Sequence, residues 1–187
     1  LVSARGLVHD PQLQRSWRYI EIDPGELPVA IQLFGSEPDD FRRALALIFQ
    51  HPVLSQCSLI DLNMGCPVAK VVRSGDGCAL MRDPQRAQAI IRACKDIARQ
   101  VRKPVSVKFR KGWDDQSVNA PDFARACQEA GADALTIHGR TRNQMYRGKA
   151  DWQIIAAVKK AVNIPVFGNG DVSCGPSARQ MIEQTGV

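Results

Sequence analysis

The sequence lacks the hydrophobic segments that membrane and secreted proteins carry. No apolar run approaches about eighteen residues, and no charged, apolar and small-residue signal opens the chain. The sequence therefore predicts neither a membrane-spanning helix nor a cleavable leader. They predict a cytoplasmic protein with no membrane partner.

Paired metal-ligand motifs are also missing. The sequence has no C-x-x-C pair and only 3 histidines, which do not cluster. This pattern disfavours a structural zinc site, and a disulfide framework is not indicated for a chain of 187 residues. The cysteines are predicted to be reduced thiols, with no metal bound: Cys57, Cys66, Cys78, Cys94, Cys127 and Cys174.

Acidic residues are fewer than basic ones, 19 against 25, which gives a net charge of +6. Such an excess favours an anionic partner, either phosphate groups or a nucleic acid, although a solvated surface has the same composition. The hydrophobic fraction of 44% is ordinary for a globular protein.

Strand-like and helix-like segments alternate along the chain. Apolar runs predict strands at 1–4, 28–35, 59–63, 104–110, 134–139 and 164–168. Helical spacing predicts helices after 36–39, with Ser36 or Asp39 as the cap, then at 84–101 capped by Asp83, at 120–130, at 152–162 capped by Asp151, and at 177–184. Residues 17–22 also alternate and predict a short exposed strand or hairpin arm.

This alternation predicts an α/β fold with parallel strands. An open doubly wound sheet that binds dinucleotides is disfavoured, because no strand is followed by G-x-G-x-x-G and the run 168–171 lacks the third glycine. Six strands are counted, whereas a (β/α)₈ TIM barrel has eight. We therefore expect a TIM barrel truncated at both ends, with the two other strands beyond residues 1 and 187.

Each predicted strand except the first ends in polar residues. Because buried parallel strands are normally apolar, a polar group at the same place in successive strands indicates a shared ligand. Amides, cations and an imidazole suit a planar, phosphorylated cofactor better than a metal. These residues are Gln32, Asn63 with Cys66, Lys108 with Arg110, His138 with Arg140, and Asn169 with Asp171.

The loop after the third strand carries a thiol. The sequence LIDLNMGCP places Cys66 at the carboxyl end of a strand that is expected to be buried on both faces, next to Gly65 and Pro67. Cys66 is either a reactive group or a small packed hydrophobe. Cys78 is the rival acid, although its place at the start of a helical segment predicts a packed residue.

Read together, the strand ends resemble the FMN-dependent tRNA-dihydrouridine synthase family. The resemblance covers nearly the whole chain, and the N-x-G-C-P loop together with four further motifs in this order is a specific signal. The matching segments are AIQLFG (30–35), IDLNMGCPVAKVVRSGDGCALM (60–81), VSVKFRKGW (105–113), LTIHGRTRNQMYRG (135–148) and PVFGNGDV (165–172).

The resemblance implies a reductase that uses FMN and NADPH to saturate the C5–C6 bond of specific uridines in tRNA. Cys66 matches the acid that protonates C5 while flavin N5 delivers hydride to C6. The matching cofactor-binding residues are Gln32 and Lys108 at the isoalloxazine ring, His138 beside the flavin, and the loop of Asn169, Gly170 and Asp171. Asn63 and Arg140 match positions near the substrate base or the RNA.

A basic and aromatic loop lies at the same predicted mouth. Its composition suits a rim that grips RNA phosphates and stacks on a base, or else a solvated loop with two packing aromatics. The loop residues are Arg140, Arg142, Tyr146, Arg147, Lys149 and Trp152.

The first and eighth strands and the family's helical tRNA-binding domain are absent from residues 1–187, so we expect a partial catalytic domain. We also expect a monomer.

Two other functions remain open from the sequence. Another FMN barrel oxidoreductase acting on a free pyrimidine would share the barrel and the flavin lysine but would not need the basic loop. A non-catalytic tRNA-binding barrel would be expected to lack the acid or the lysine, and both Cys66 and Lys108 are present.

Overall fold

The computed structural model describes all 187 residues and contains one six-stranded sheet. The strands lie in chain order, and every neighbouring pair is parallel. They are β1 (Val2–Ser3), β2 (Ala30–Phe34), β3 (Leu59–Met64), β4 (Val105–Arg110), β5 (Ala134–His138) and β6 (Val166–Asn169). All six predicted strands are confirmed.

The α-helices form one layer against this sheet. Neighbours in this layer pack in chain order, from the first helix to the last, with the short third helix set aside near the carboxyl ends of the strands. The helices are α1 (Ala4–Val8), α2 (Pro38–Gln50), α3 (Ala69–Arg73), α4 (Pro84–Ala98), α5 (Ala120–Glu129), α6 (Trp152–Ala161) and α7 (Gly175–Thr185). Sequential strand order with one helix layer is the winding of a barrel, because a doubly wound sheet reverses its order and carries helices on both faces. The α/β TIM-barrel class is confirmed.

Short 3₁₀ helices occupy several connections, at Trp17–Tyr19, Pro24–Glu26, Leu54–Gln56, Gly77–Arg82 and Arg99–Val101. None of the helices combines the length and the hydropathy that a membrane crossing requires.

Two of the predicted helix caps are confirmed. Asp83 accepts a hydrogen bond from the Arg86 N–H at 3.0 Å and caps α4, and Asp151 accepts one from the Ile154 N–H at 3.1 Å and caps α6. The predicted caps of α2 are wrong. That helix is preceded by Glu37, because Pro38 occupies its first turn, where a proline needs no hydrogen-bond acceptor for its nitrogen.

The strand predicted at 17–22 is wrong. Residues Trp17–Tyr19 form a 3₁₀ helix, and the backbone that follows is irregular. Ile20 and Ile22 are nevertheless buried, so the alternation in the sequence reports the burial of two side chains and not a strand. Before this segment, α1 follows β1 directly, and Ser3 caps α1 by accepting from the Gly6 N–H at 3.1 Å.

The two faces of the sheet differ sharply. On the outer face, apolar side chains pack against the helix layer and are buried; they include Leu33, Leu62, Val107, Phe109 and Ile137. On the inner face, polar side chains lie in register across neighbouring strands; one row is Gln32, Asp61 and Ser106, the next contains Asn63, Lys108 and Thr136, and the third is Arg110, His138 and Asn169. The prediction that β3 is buried on both faces is therefore wrong, since its inner side chains are half-buried and polar.

Candidate functional site

A cavity of 430 Å³ lies at the carboxyl ends of β3 to β6. Eight of the nine residues predicted for the site line it, and Gln32 does not. The lining residues are Asn63, Gly65, Cys66, Pro67, Lys108, Arg110, His138, Arg140, Tyr146, Asn169, Gly170 and Asp171. The sequence pattern thus located the cavity, while the role of each residue stays a prediction.

The two candidate thiols have different surroundings. Cys66 is half-buried and lines the cavity. Cys78 is 0% exposed, and burial raises the pKa of its thiol to about 12. The prediction that Cys78 is a packed residue is confirmed, and of the two thiols Cys66 is the one that a bound molecule can touch.

Asn63 holds the Cys66 loop in place. Its side-chain oxygen accepts hydrogen bonds from the N–H groups of Gly65 at 3.2 Å and Cys66 at 2.9 Å. Gly65 also lies so close to β4 that an added Cβ would come within 3.2 Å of the Phe109 backbone. The loop is therefore fixed both by a side-chain oxygen and by backbone contact.

Asp61 organises the amides behind this loop, and the sequence analysis did not single it out. Its carboxylate accepts hydrogen bonds at 2.5 Å from the Ser106 hydroxyl and from the Gln32 amide nitrogen. The Gln32 oxygen accepts in turn from the Asn63 amide nitrogen at 3.2 Å. Because an ionised carboxylate only accepts, it sets the orientation of the Gln32 amide, and Gln32 then sets that of Asn63. Gln32 does not line the cavity and thus affects it by orienting Asn63.

The signal that could have revealed Asp61 was present in the sequence. Asp61 and Asn63 are two residues apart in an otherwise apolar strand, and this spacing places them on one face. Burial raises the pKa of the Asp61 carboxyl, while hydrogen bonds from Gln32 and Ser106 and the charge of Lys108 act against the rise.

Lys108 carries a positive charge without a carboxylate partner. Its ammonium donates to the Asn169 side-chain oxygen at 2.9 Å, and no carboxylate oxygen lies within 4.0 Å of it. Burial and the neighbouring Arg110 lower the pKa of Lys108. A half-buried cation of this kind is stabilised by an anionic ligand.

Arg110 acts as a clamp between two loops. Its guanidinium donates to the carbonyl of Gly65 at 2.9 Å, and to those of Thr141 at 3.1 Å and Met145 at 2.7 Å. These bonds join the Cys66 loop to the loop between β5 and α6. The sequence placed Arg110 among the polar strand ends but gave no hint of this bridge.

His138 is a neutral imidazole at physiological pH. Burial, followed by the charges of Arg110, Lys108 and Arg140, lowers its pKa from 6.5 to about 4. Gly170 lies against it, and a Cβ there would come within 3.0 Å of the imidazole. The φ of Gly170 is 120°, a value that side-chain-bearing residues rarely adopt, so glycine is required on two grounds.

Arg140 and Asp171 form an ion pair at the edge of the cavity. One Arg140 nitrogen donates to Asp171 at 2.6 Å and to the Gly148 carbonyl at 2.5 Å. The other Asp171 oxygen accepts from the Ala150 N–H at 2.6 Å, and this bond holds the pKa of the Asp171 carboxyl below its usual value. Both residues line the cavity with polar atoms already engaged, so they also fix the β5–α6 loop.

The six predicted residues of the basic rim divide into three that are exposed, two that are structural, and Arg142, which contacts the Trp113 ring. Tyr146 is 75% exposed, and Arg147 and Lys149 are exposed beside it. Arg140 is buried, and the Trp152 ring nitrogen donates to the Gly170 carbonyl at 3.1 Å. Two predicted members of the rim are therefore structural.

The set of donors in the cavity suits an organic anion. Lys108 supplies a charge, Asn169 an amide and His138 a neutral imidazole. No group of three or more His, Cys, Asp or Glu side chains that could hold a metal ion exists in the chain.

The comparison with known proteins decides the family. The profile described as Dihydrouridine synthase (Dus) matches residues 1–187. The chain belongs to the dihydrouridine synthase family. Its resemblance to that family, predicted from five motifs, is confirmed.

Curated relatives agree with this assignment. The chain is 44% identical over 187 residues to a probable tRNA-dihydrouridine synthase 1 of Synechocystis, covering 100% of this chain and 50% of that protein. It is 42% identical over 165 residues to tRNA-dihydrouridine synthase B of Pseudomonas aeruginosa, covering 88% of this chain and 48% of that one. The chain thus spans about half the length of these dihydrouridine synthases.

A solved structure supports the fold. The apo form of a putative deoxyribose-phosphate aldolase from Toxoplasma gondii is 17% identical and superposes with a TM-score of 0.53, covering 99% of this chain and 71% of that one. At this identity, the similarity is one of fold alone.

Proposed function

We propose that this chain forms the catalytic barrel of an enzyme that reduces uridines in tRNA to dihydrouridine, with FMN as the hydride carrier and NADPH as the reductant. The observation that carries the proposal is the presence of an accessible thiol, Cys66, and an unpaired cation, Lys108, in one cavity of a dihydrouridine synthase. The names of the curated relatives support tRNA as the substrate.

The reaction adds a hydride at C6 of the uracil ring and a proton at C5. A bound flavin would supply the hydride. Cys66 donates the proton to C5, because its thiol lies in the cavity and its loop is fixed by the Asn63 oxygen. Lys108, which is half-buried, would supply the positive charge that stabilises an anionic flavin ring.

Three other residues would hold the cofactor. Asn169 positions the Lys108 ammonium, and the neutral His138 offers either a donor or an acceptor to the ring. The small Gly170 keeps the loop close to His138. Gln32 would contribute by orienting Asn63, and Asn63 and Arg140 would contact the substrate base or the RNA.

The RNA would approach over the exposed residues Tyr146, Arg147 and Lys149. A uridine must leave its stack before its C5–C6 bond can enter a cavity, and an exposed aromatic ring and two cations beside the opening favour such a base. The proposal includes a monomeric enzyme in the cytoplasm and a helical tRNA-binding domain outside residues 1–187.

Absorbance spectroscopy tests the proposal. Flavin absorbance should bleach with NADPH and return on adding tRNA that contains unmodified uridine. In Cys66→Ala the bleaching should persist while dihydrouridine formation falls by about 10²- to 10⁴-fold, the usual contribution of a general acid. Cys78→Ala is the matched control, and it should keep its rate because the thiol is buried.

Other outcomes contradict the proposal. A colourless protein that binds tRNA would indicate a non-catalytic barrel. Reoxidation by a free pyrimidine but not by tRNA would indicate a small-molecule reductase. An unchanged rate in Cys66→Ala would remove the acid role from this thiol.

A further inference from the structure

A second concave surface lies, like the cavity, at the carboxyl end of the sheet. It is a groove of 510 Å³ formed by α3, the 3₁₀ helix Gly77–Arg82 and the loops that follow β4 and β5. The lining residues are Ala69, Val72, Arg73, Ala79, Arg82, Asp83, Trp113 and Arg142. We call this surface the arginine groove; the chemistry proposed above does not use it.

Trp113 contacts two arginines of the arginine groove. The guanidinium carbons of Arg82 and Arg142 lie 4.8 and 4.9 Å from the centre of the Trp113 ring. Contact with an aromatic ring restricts a guanidinium but leaves N–H groups available for a ligand. Arg73 lines the same groove and is exposed.

None of these three arginines has an ion-pair partner. No carboxylate oxygen lies within 4.0 Å of Arg73, Arg82 or Arg142, whereas Arg42, Arg86 and Arg125 all form ion pairs. Arg142 donates to the Asn143 side chain at 3.1 Å, and its buried Nε has no partner. The groove therefore carries a net positive charge, with three guanidinium groups that no carboxylate engages in an ion pair.

The nearby carboxylates are engaged elsewhere. Asp83 caps α4 and lies 3.7 Å from the Arg86 guanidinium. Asp114, whose pKa is lowered mainly by the Ser117 hydroxyl, accepts from that hydroxyl at 2.6 Å and from the Gln116 N–H at 3.1 Å. The charge of Arg82 also lowers the pKa of the Asp114 carboxyl, but neither carboxylate forms an ion pair with one of the three arginines.

The arginine groove adjoins the cavity. Arg142 follows Thr141, whose carbonyl accepts from Arg110 at 3.1 Å, and Arg110 lines the cavity. Arg142 is also two residues from Arg140, which lines the cavity as well. A strand of RNA whose base enters the cavity would carry its neighbouring phosphates past this groove.

We propose that the arginine groove binds the phosphodiester backbone of RNA next to the nucleotide that enters the cavity. The inference rests on the proposed function, in which RNA is the substrate. Guanidinium groups match the phosphate oxygens of a nucleic-acid backbone in a bidentate geometry, and contact with the Trp113 ring restricts two of them.

Salt-dependent tRNA binding tests the inference. Arg82→Gln and Arg142→Gln should each weaken tRNA binding several-fold and reduce the slope of log affinity against log salt by about 0.7 to 0.9 for each lost phosphate contact. Arg99→Gln is the matched control. Arg99 is exposed and unpaired, and it precedes β4 at the opposite end of the sheet, so the same charge change there should alter neither quantity.

A kinetic readout separates this inference from the proposed function. In the groove variants the KM for tRNA should rise, while kcat at saturating tRNA and flavin reduction by NADPH stay unchanged. If no variant forms dihydrouridine, the proposed function fails, and the binding series still reports on the groove.

Two results would overturn the inference. One is a double variant, Arg82→Gln with Arg142→Gln, that melts like the wild type and binds tRNA with unchanged affinity and salt slope. The other is an equal loss in Arg99→Gln, which would show that overall charge and not the groove governs binding.

Discussion

The same strands form the outer and inner faces of the sheet, but different interactions stabilise the two faces. Outer side chains such as Leu62, Val107 and Ile137 are apolar, interchangeable in kind and buried by the helix layer. Inner side chains such as Asp61 and Lys108 are polar, and each has a particular partner. Burial of apolar area on the outer face stabilises the fold, whereas hydrogen bonds on the inner face fix the positions of the polar side chains.

The inner face is connected as well as polar. The hydroxyl of Ser106, the carboxylate of Asp61 and the amides of Gln32 and Asn63 form one chain of hydrogen bonds that ends at the Cys66 N–H. A change at one end of this chain should therefore be felt at the other. Among the apolar side chains of the outer face, such coupling is expected only between residues in packing contact.

The largest expected effect comes from a cavity on the outer face. Phe109 is fully buried, and its ring centre lies 5.3 Å from that of Phe123. Phe109→Ala should lower the free energy of unfolding by about 3 to 5 kcal/mol. Urea unfolding followed by circular dichroism measures the loss.

The matched control is the same substitution on the inner face. Phe167 is 60% exposed, and its loss should change the free energy of unfolding by no more than about 0.5 kcal/mol. Similar losses for Phe109→Ala and Phe167→Ala would refute the division of labour between the two faces.

A smaller effect on stability, with a larger one on function, is expected at Asp61. Asp61→Ala leaves the Ser106 hydroxyl and the Gln32 amide without their acceptor, at a cost of about 1 to 3 kcal/mol. It also frees Asn63, so the Cys66 loop loses its orientation. We expect a lower kcat for dihydrouridine formation, with flavin reduction by NADPH much less affected.

Asp61→Asn separates the network from mere bulk. An asparagine can accept from Gln32 and donate to the Ser106 oxygen, so it should restore most of the stability and most of the kcat. If Asp61→Asn were as impaired as Asp61→Ala, the orientation relay through Gln32 would be wrong.

The outer face and the strand ends were predictable because their signals are local. Each buried strand is a short apolar run, and a polar residue at the end of such a run stands out, as with Lys108 and His138. The partners on the inner face were not predictable, because the register that aligns Gln32 with Asp61 belongs to two strands far apart in sequence.

Tertiary contacts also explain what the sequence concealed or suggested wrongly. The Arg110 clamp and the contact of Arg142 with Trp113 join loops that follow different strands. Residues 17–22 showed the reverse problem, since Ile20 and Ile22 alternate without forming a strand.

The last expected effect is a pH dependence at His138, on the inner face. The pKa of His138 falls from 6.5 to about 4 in the folded protein, through burial and the facing charges of Arg110, Lys108 and Arg140, with Asp171 acting in the opposite direction. Between these two pH values the unfolded chain binds more protons at this group than the folded protein does. Its contribution to stability is therefore full above about pH 6.5 and declines as the pH falls towards about 4.

Denaturant unfolding at a series of pH values measures this contribution. His138→Gln should flatten the stability profile between pH 6.5 and about 4, because it removes the titrating group. His9→Gln, at an exposed histidine in the turn after α1, should leave the slope as in the wild type. A wild-type slope in His138→Gln would show that burial and the cationic neighbours do not hold the imidazole neutral. The inner face would then differ from the outer one in polarity but not in its response to pH.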